Sequence, residues 1–262
     1  EQRFNFQIEA NTLERLMLSA RNLKQVSGQR IRHEFQLLFE ESDPPACFAR
    51  LENLGLLRAI HPDLRWTAQN SADFRRFHDA EPNETYRNAD PGIAEFLQSW
   101  GAFICWLGTE RADTIQQLAN RLQIPARVLT SITGLEKLFC EFAGVRKKRR
   151  SEAVFFLERI PLPAIYCYDV LSDSVEISAF LDRYLNDFRN RKPITTGETL
   201  KKAGLPPGAW MSQLIDRLRA ARIDDEITSA NEEAVYLEHA LTDLRAQRGQ
   251  DAQPDPEGKG KR

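Results

Sequence analysis

The stretch Val26-Ser27-Gly28-Gln29-Arg30-Ile31-Arg32-His33-Glu34-Phe35 sets its apolar residues Ile31 and Phe35 about one helical turn apart, with Leu38 continuing the same face. That spacing predicts an amphipathic helix. Upstream, Leu13, Leu16, Met17, Ala20 and Leu23 fall on one stripe, and Asn11 with Glu14 three residues later resembles a capping box at the start of that helix. Downstream, Asp43 before Pro44-Pro45 suits an N-cap followed by proline in the first turn. Gly55 suits a left-handed residue closing that third helix, with Leu56 packing back on it. These three helices form a first unit ending near Pro62.

Helical spacing dominates the rest of the chain, and strand alternation is nearly absent. Residues 66–91 are polar and irregular, and are expected to be a long loop with a short helix. Ile93, Phe96, Leu97, Trp100, Phe103, Ile104 and Leu107 make a strongly apolar helix central to the core. Asp113 to Leu122 reads as a short capped helix. Pro125 opens another that Gly144 closes, and Ser151 is expected to cap the next. Val175 to Phe188 is amphipathic again. After Lys192-Pro193, Thr196 can cap a short helix stopping at Gly204, Pro206-Pro207-Gly208 forms a turn, and Trp210 to Leu218 make the following helix, with Trp210 expected to be partly exposed. Ser229 with Glu232 forms a second capping box before a final helix. From Gly249 the composition turns to Gln, Asp, Pro, Gly and Lys, and disorder is expected.

The composition bounds what these helices can do. The chain has 262 residues, 42% of them hydrophobic, enough for a real core. Lys and Arg total 36 against 38 for Asp and Glu, a net charge of -2, so any nucleic-acid contact must come from local basic patches. Cys47, Cys105, Cys140 and Cys167 include no C-x-x-C pair and read as buried thiols in a reducing compartment. No apolar run is long enough to span a membrane, and no signal-peptide pattern opens the chain, so a cytoplasmic protein is expected.

Taken together, Arg3-Phe4-Asn5-Phe6-Gln7-Ile8, the Ser27-Gly28-Gln29-Arg30-Ile31 helix, Leu51-Glu52-Asn53-Leu54-Gly55-Leu56-Leu57, His61-Pro62-Asp63-Leu64 and the tail Thr196-Gly197-Glu198-Thr199-Leu200-Lys201-Lys202-Ala203-Gly204-Leu205-Pro206-Pro207-Gly208 resemble, in this order, the non-catalytic half of tRNA nucleotidyltransferases and bacterial poly(A) polymerases. Gln29 stands where that family has glutamate, Thr199 where it has aspartate, Ala209 where it has proline, and Asp225 where it has glycine. Aspartate tolerates a left-handed backbone better than most residues. The resemblance implies an all-α, elongated fold: a neck remainder with RNA-binding helices over 1–62, a body over 63–192, a tail over 193–248 and disorder over 249–262.

It also implies an RNA-binding region, for tRNA or another structured RNA, of an enzyme that adds nucleotides to RNA 3′ ends with Mg²⁺ and ATP or CTP. The family's Gly-Gly or Gly-Ser motif and its Asp-x-Asp pair, whose carboxylates hold the metal ions, do not occur in this sequence. No catalytic residue, metal site or cofactor is therefore expected in these 262 residues. Arg30 and Arg32 would brace the neck through charge-assisted bonds, or lie on a solvated helix face.

Two basic clusters are candidate RNA contacts. Arg146-Lys147-Lys148-Arg149-Arg150 reads as a loop with five positive charges, flanked closely only by Glu141 and Glu152, and phosphate is its natural partner. Lys201-Lys202 lies beside the proline-rich turn, where backbone N–H groups suit phosphate. A second function is a helical protein-interaction or oligomerisation module without RNA affinity, in line with the net acidic balance. His78-Asp79 resembles the dyad of metal phosphohydrolases, but His33, His61 and His239 offer no converging ligand set.

Overall fold

The computed structural model describes residues 1–2, 4, 6–202 and 208–251, with backbone alone for 245–251. Every regular element among the described residues is helical, as the sequence predicts. They group into two compact units: the first is built from 1–147 and 156–186, the second from 148–155 and 187 onward.

In the first unit, α1 (Ala10–Ser19) and a 3-10 turn (Ala20–Gln25) lead into α2 (Gly28–Phe39). Glu9, not Asn11, caps α1: its carboxylate accepts from the Thr12 amide at 3.0 Å, which leaves Asn11 inside the first turn. Ser27 caps α2 through the Arg30 amide. Gly28 admits close packing on α8 (Ala112–Leu122), for a Cβ there would lie 2.1 Å from the Arg121 carbonyl oxygen. Arg121 in turn donates to the Leu23 and Ile60 carbonyls, at 2.7 and 3.1 Å, tying the 3-10 turn to the same patch. Asp43 caps α3 (Pro44–Asn53) through the Ala46 amide at 3.1 Å. Gly55 follows at φ 69°, the left-handed position read from the sequence. The chain then enters one more short helix, α4 (Leu56–Ile60), because Leu57 and Ile60 are buried together.

The segment 66–91, expected to be mainly loop, contains α5 (Ala68–Asp79) and α6 (Glu84–Ala89). Its start signal is a capping box of unusual composition. Thr67 Oγ1 accepts from the Asn70 amide at 3.2 Å, and Asn70 Oδ1 accepts from the Thr67 amide at 2.8 Å. Asparagine thus fills the place usually held by Glu or Gln.

α5 packs on α7 (Ile93–Leu107). α7 also meets α9 (Ala126–Lys137) and α12 (Leu162–Ser172), with α13 (Val175–Asn186) against α12. Trp106 centres an aromatic cluster: its ring centroid lies 5.1–5.5 Å from those of Phe35, Phe48 and Trp66, with near-perpendicular geometry. Phe48 and Trp66 stack at 4.5 Å. Edge-to-face and offset-stacked pairs are the favourable arrangements for aromatic quadrupoles. The Trp106 indole N–H donates to the Arg65 carbonyl at 2.7 Å, so the buried polar end is satisfied. This cluster corrects the expected boundary at residue 62: Phe35 and Phe48 before it share one core with Trp66 and Trp106 after it. Cys47, Cys105 and Cys167 are buried, whereas Cys140 is exposed, on a π-helical turn (Leu138–Phe142) that continues α9 into α10 (Ala143–Arg146). Gly144 therefore lies within a helix and does not close one.

In the second unit, α14 (Gly197–Lys201), α15 (Trp210–Ile223) and α16 (Ala230–Asp251) follow a 3-10 turn (Phe188–Asn190). Leu200, Trp210, Leu214, Leu218, Ala221 and Ile227 form its core, flanked by Tyr236, Leu237 and Leu241 of α16. Trp210 is buried, against the expected partial exposure, since it opens α15 on the face that meets Leu200. Thr196 caps α14 through the Thr199 amide. Ser229 and Glu232 exchange backbone bonds at 3.1 and 3.2 Å, the expected capping box. α16 runs to Asp251, past the expected limit at 248. Residues 252–262, and Pro206-Pro207 of the expected turn, lie outside the described residues.

Candidate nucleic-acid interface

Arg146 ends α10, Lys147 to Arg149 make the connection, and Arg150 opens α11 (Arg150–Leu157). The run expected to be a loop is thus a three-residue link between helix ends. Its acids come from far along the chain. Asp225 adopts φ 61°, the left-handed conformation expected at its position. The turn it makes presents Asp224, Asp225 and Glu226 together.

Asp224 accepts from the Ser151 amide and hydroxyl, both at 2.8 Å, and pairs with Arg149 Nε at 3.0 Å. Ser151 lies inside α11 and is not its cap as expected; Asp224 supplies a carboxylate at that helix N-terminus. Arg149 also pairs with Glu226. Arg150 donates to the Ile223 carbonyl at 2.8 Å and to Asp225. On the other side of Asp225, Arg191 forms a two-pronged pair with Asp187, both contacts 2.8 Å, and also donates to the Arg222 carbonyl at 3.0 Å. The Arg150 and Arg191 guanidinium carbons lie 5.1 and 5.3 Å from the Phe188 ring centroid, adding cation–π attraction.

The expectation that only Glu141 and Glu152 could neutralise the basic run is therefore corrected. Arg149 and Arg150 are held by the 224–226 turn. Arg146 meets Glu176 at 3.5 Å and Lys148 meets Glu152 at 3.6 Å. Exposed pairs of this kind are weak and yield readily to another partner. Lys147, Lys201 and Lys202 are exposed, with no acidic partner among the described residues. Arg30 is exposed on α2. Arg32 instead turns into the first unit, where it donates to the Leu122 carbonyl at 3.0 Å and to the Gln123 carbonyl, with the Trp100 ring 5.8 Å away. It closes the C-terminus of α8 from α2. The members of the clasp that sequence reading missed, Asp187 and Arg191, carry an i,i+4 signal; their link to Asp225 does not show in the sequence.

Hydrogen bonds from Arg150 and then Arg191 hold the Asp225 carboxyl below the usual carboxylate range. A depressed folded-state pKa contributes stability above the unfolded value of about 3.9, and that contribution is lost as pH falls through the folded pKa. Acid should therefore loosen the clasp below about pH 4. In denaturant titrations between pH 3 and 7, Asp225→Asn should flatten the acid limb of stability; an unchanged acid limb would show that the clasp does not couple to folding.

Among the described residues no three His, Cys, Asp or Glu side chains are placed to hold a metal ion, and His78 stacks on Phe74. No helix there is long and apolar enough to cross a membrane.

Residues 5–67 match the family model described as "Probable RNA and SrmB- binding site of polymerase A". The chain is 27% identical over 247 residues to an A-adding tRNA nucleotidyltransferase of Geobacter sulfurreducens, which covers 89% of this chain and 27% of that protein. It is 24% identical over 225 residues to the A-adding enzyme of Halalkalibacterium halodurans, covering 81% and 47%. The chain is thus similar to tRNA nucleotidyltransferases over most of its length. It spans between about a quarter and half of the length of these relatives. Its fold matches that of the Thermotoga maritima CCA-adding enzyme complexed with tRNA, with a TM-score of 0.61 at 18% identity, over 93% of this chain and 58% of that one. At that identity the likeness shows the shared helical fold alone.

Proposed function

We propose that this chain is the RNA-holding region of an enzyme that adds nucleotides to the 3′ end of tRNA or a similarly structured RNA in the cytoplasm. The match of residues 5–67 to an RNA-binding model carries this reading. The exposed lysines Lys147, Lys201 and Lys202, and the weakly paired Arg146 and Lys148, support it. They suit phosphate contacts that position an RNA by shape without reading its sequence. Mg²⁺ and ATP or CTP belong on this reading to the longer enzyme. The described side chains do not fit a metal site, so no chemical step is assigned to them.

Filter binding to a tRNA transcript at several salt concentrations tests the proposal. A log–log salt slope on the order of -2 to -3 is expected if about three phosphates are engaged. Replacing Lys147, Lys148, Lys201 and Lys202 by Ala should weaken binding and flatten the slope, equally for RNAs of one fold and different sequence. Arg149 is left in place because it holds Asp224. Unchanged affinity and slope would remove these lysines from the interface. Absence of tRNA binding at low salt would favour the protein-interaction module instead.

A further inference from the structure

Met17 and Leu18 are 55% and 68% exposed, and with Phe4 and Phe6 they make four of the nine exposed large hydrophobic residues among the described ones. Both stand on α1, none of whose residues is buried. Leu13 and Leu16, on the adjoining side of the helix, are half-buried, so α1 leaves a second apolar patch in water. Its ten residues span about 15 Å and are too few to hold a helix in water by local forces alone. Such a helix draws its stability chiefly from what packs on its apolar surface.

The charges around this patch decide what fits it. Glu14, Met17, Leu18 and Arg21 follow the i, i+3, i+4, i+7 spacing of one helical face, with Arg21 in the 3-10 turn that continues α1. All four are exposed. Neither Glu14 nor Arg21 has an oppositely charged partner among the described residues. The acid stands three residues before Met17 and the base three residues after Leu18. The face is therefore symmetric in apolar content and antisymmetric in charge about its midpoint, which makes it complementary to itself when a second copy runs antiparallel. About a two-fold axis between Met17 and Leu18, each Glu14 meets Arg21 of the other copy, and each Met17 meets Leu18 of the other copy. Isologous contacts have this reciprocity. Parallel pairing would set Glu14 on Glu14 and Arg21 on Arg21, and would align the helix dipoles unfavourably. An RNA backbone would meet one carboxylate and two apolar side chains on the same face.

We infer that α1 pairs antiparallel with α1 of a second copy of this chain, through Met17 and Leu18 and two reciprocal Glu14–Arg21 ion pairs. Two helices of ten residues bury less surface than a standard stable interface, so the dimer is weak, with a Kd on the order of 10–100 µM.

Sedimentation equilibrium of the full chain over roughly 1–300 µM, a range that brackets this constant, should show a reversible monomer–dimer equilibrium. Glu14→Arg and Arg21→Glu each place two like-charge pairs across the axis, and each should weaken association about tenfold or more. The double variant Glu14→Arg/Arg21→Glu restores both pairs with their signs exchanged, and should return to within about threefold of the parent. Leu18→Glu should leave the chain monomeric over the same range. Far-ultraviolet circular dichroism checks that each variant stays folded. A parent chain that is monomeric throughout would overturn the inference, as would single variants that associate like the parent, or a double variant as weak as the singles. If Arg21→Glu lowers tRNA affinity without changing association, the face belongs to RNA and the inference falls. tRNA affinity by filter binding is a separate readout, so a failure to dimerise leaves the RNA reading to its own result.

Discussion

Replacing Trp106 by Ala should destabilise the first unit by about 3–5 kcal/mol, the cost typical of truncating a large buried aromatic side chain. Trp106 is 3% exposed and touches Phe35, Phe39, Phe48, Phe103 and Trp66 with ring centroids 5.1–6.5 Å away. Removing the indole leaves a void ringed by rigid aromatic groups with little freedom to collapse into it. The Arg65 carbonyl also loses its donor. A fall of roughly ten degrees or more in the melting temperature follows for a unit of this size. Trp106→Phe keeps the ring packing but not the N–H, and should recover more than half of the loss. A melting temperature within two degrees of the parent for Trp106→Ala would show that the cluster is not the centre of the core.

The second large effect falls on Asp224. Its carboxylate accepts from the Ser151 amide and hydroxyl and pairs with Arg149, while Ser151 itself is buried. Asp224→Ala leaves a buried amide and hydroxyl without an acceptor and an arginine short of one partner. Each unmet buried polar group costs about 1–3 kcal/mol, so a total of about 2–4 kcal/mol is expected, discounted for the exposure of Arg149. Asp224→Asn keeps an acceptor for Ser151 and should fall between parent and Ala. The readout is the denaturant midpoint, with hydrogen exchange at the Ser151 amide reporting the local event. A midpoint shift worth less than about 0.5 kcal/mol would mean that water replaces the carboxylate without loss.

Apolar periodicity was enough to place α2, α7, α13 and α15, because each buries one face and declares it every third or fourth residue. Local chemistry placed Asp43, Gly55, Thr196 and Ser229 with Glu232, since each acts within four residues, whereas the left-handed Asp225 followed from the family resemblance. α5 was lost for the converse reason. Its polar composition hides the face that buries Asn70, Asp73 and Phe74, and its capping partner is an asparagine. Sequence distance explains the larger misreading at 146–150. The acids that hold Arg149 and Arg150 stand 75 to 77 residues away, and no local reading pairs them. Trp210 was misjudged because a proline-rich neighbourhood suggests a turn but says nothing of what packs on the residue that follows.

Residues 148–155 belong with residues 187 onward, so the second unit is discontinuous in the chain. A ribosome delivers Ser151 well before Asp224, and at about 5–20 residues per second the 73-residue gap takes roughly 4–15 s to synthesise. For that interval the α11 start has no carboxylate from the 224–226 turn, and Arg149 and Arg150 carry their charge beside a machine made largely of RNA. The order of synthesis thus sets a time window in which the basic run is free, and the emergence of Asp224, Asp225 and Glu226 closes it.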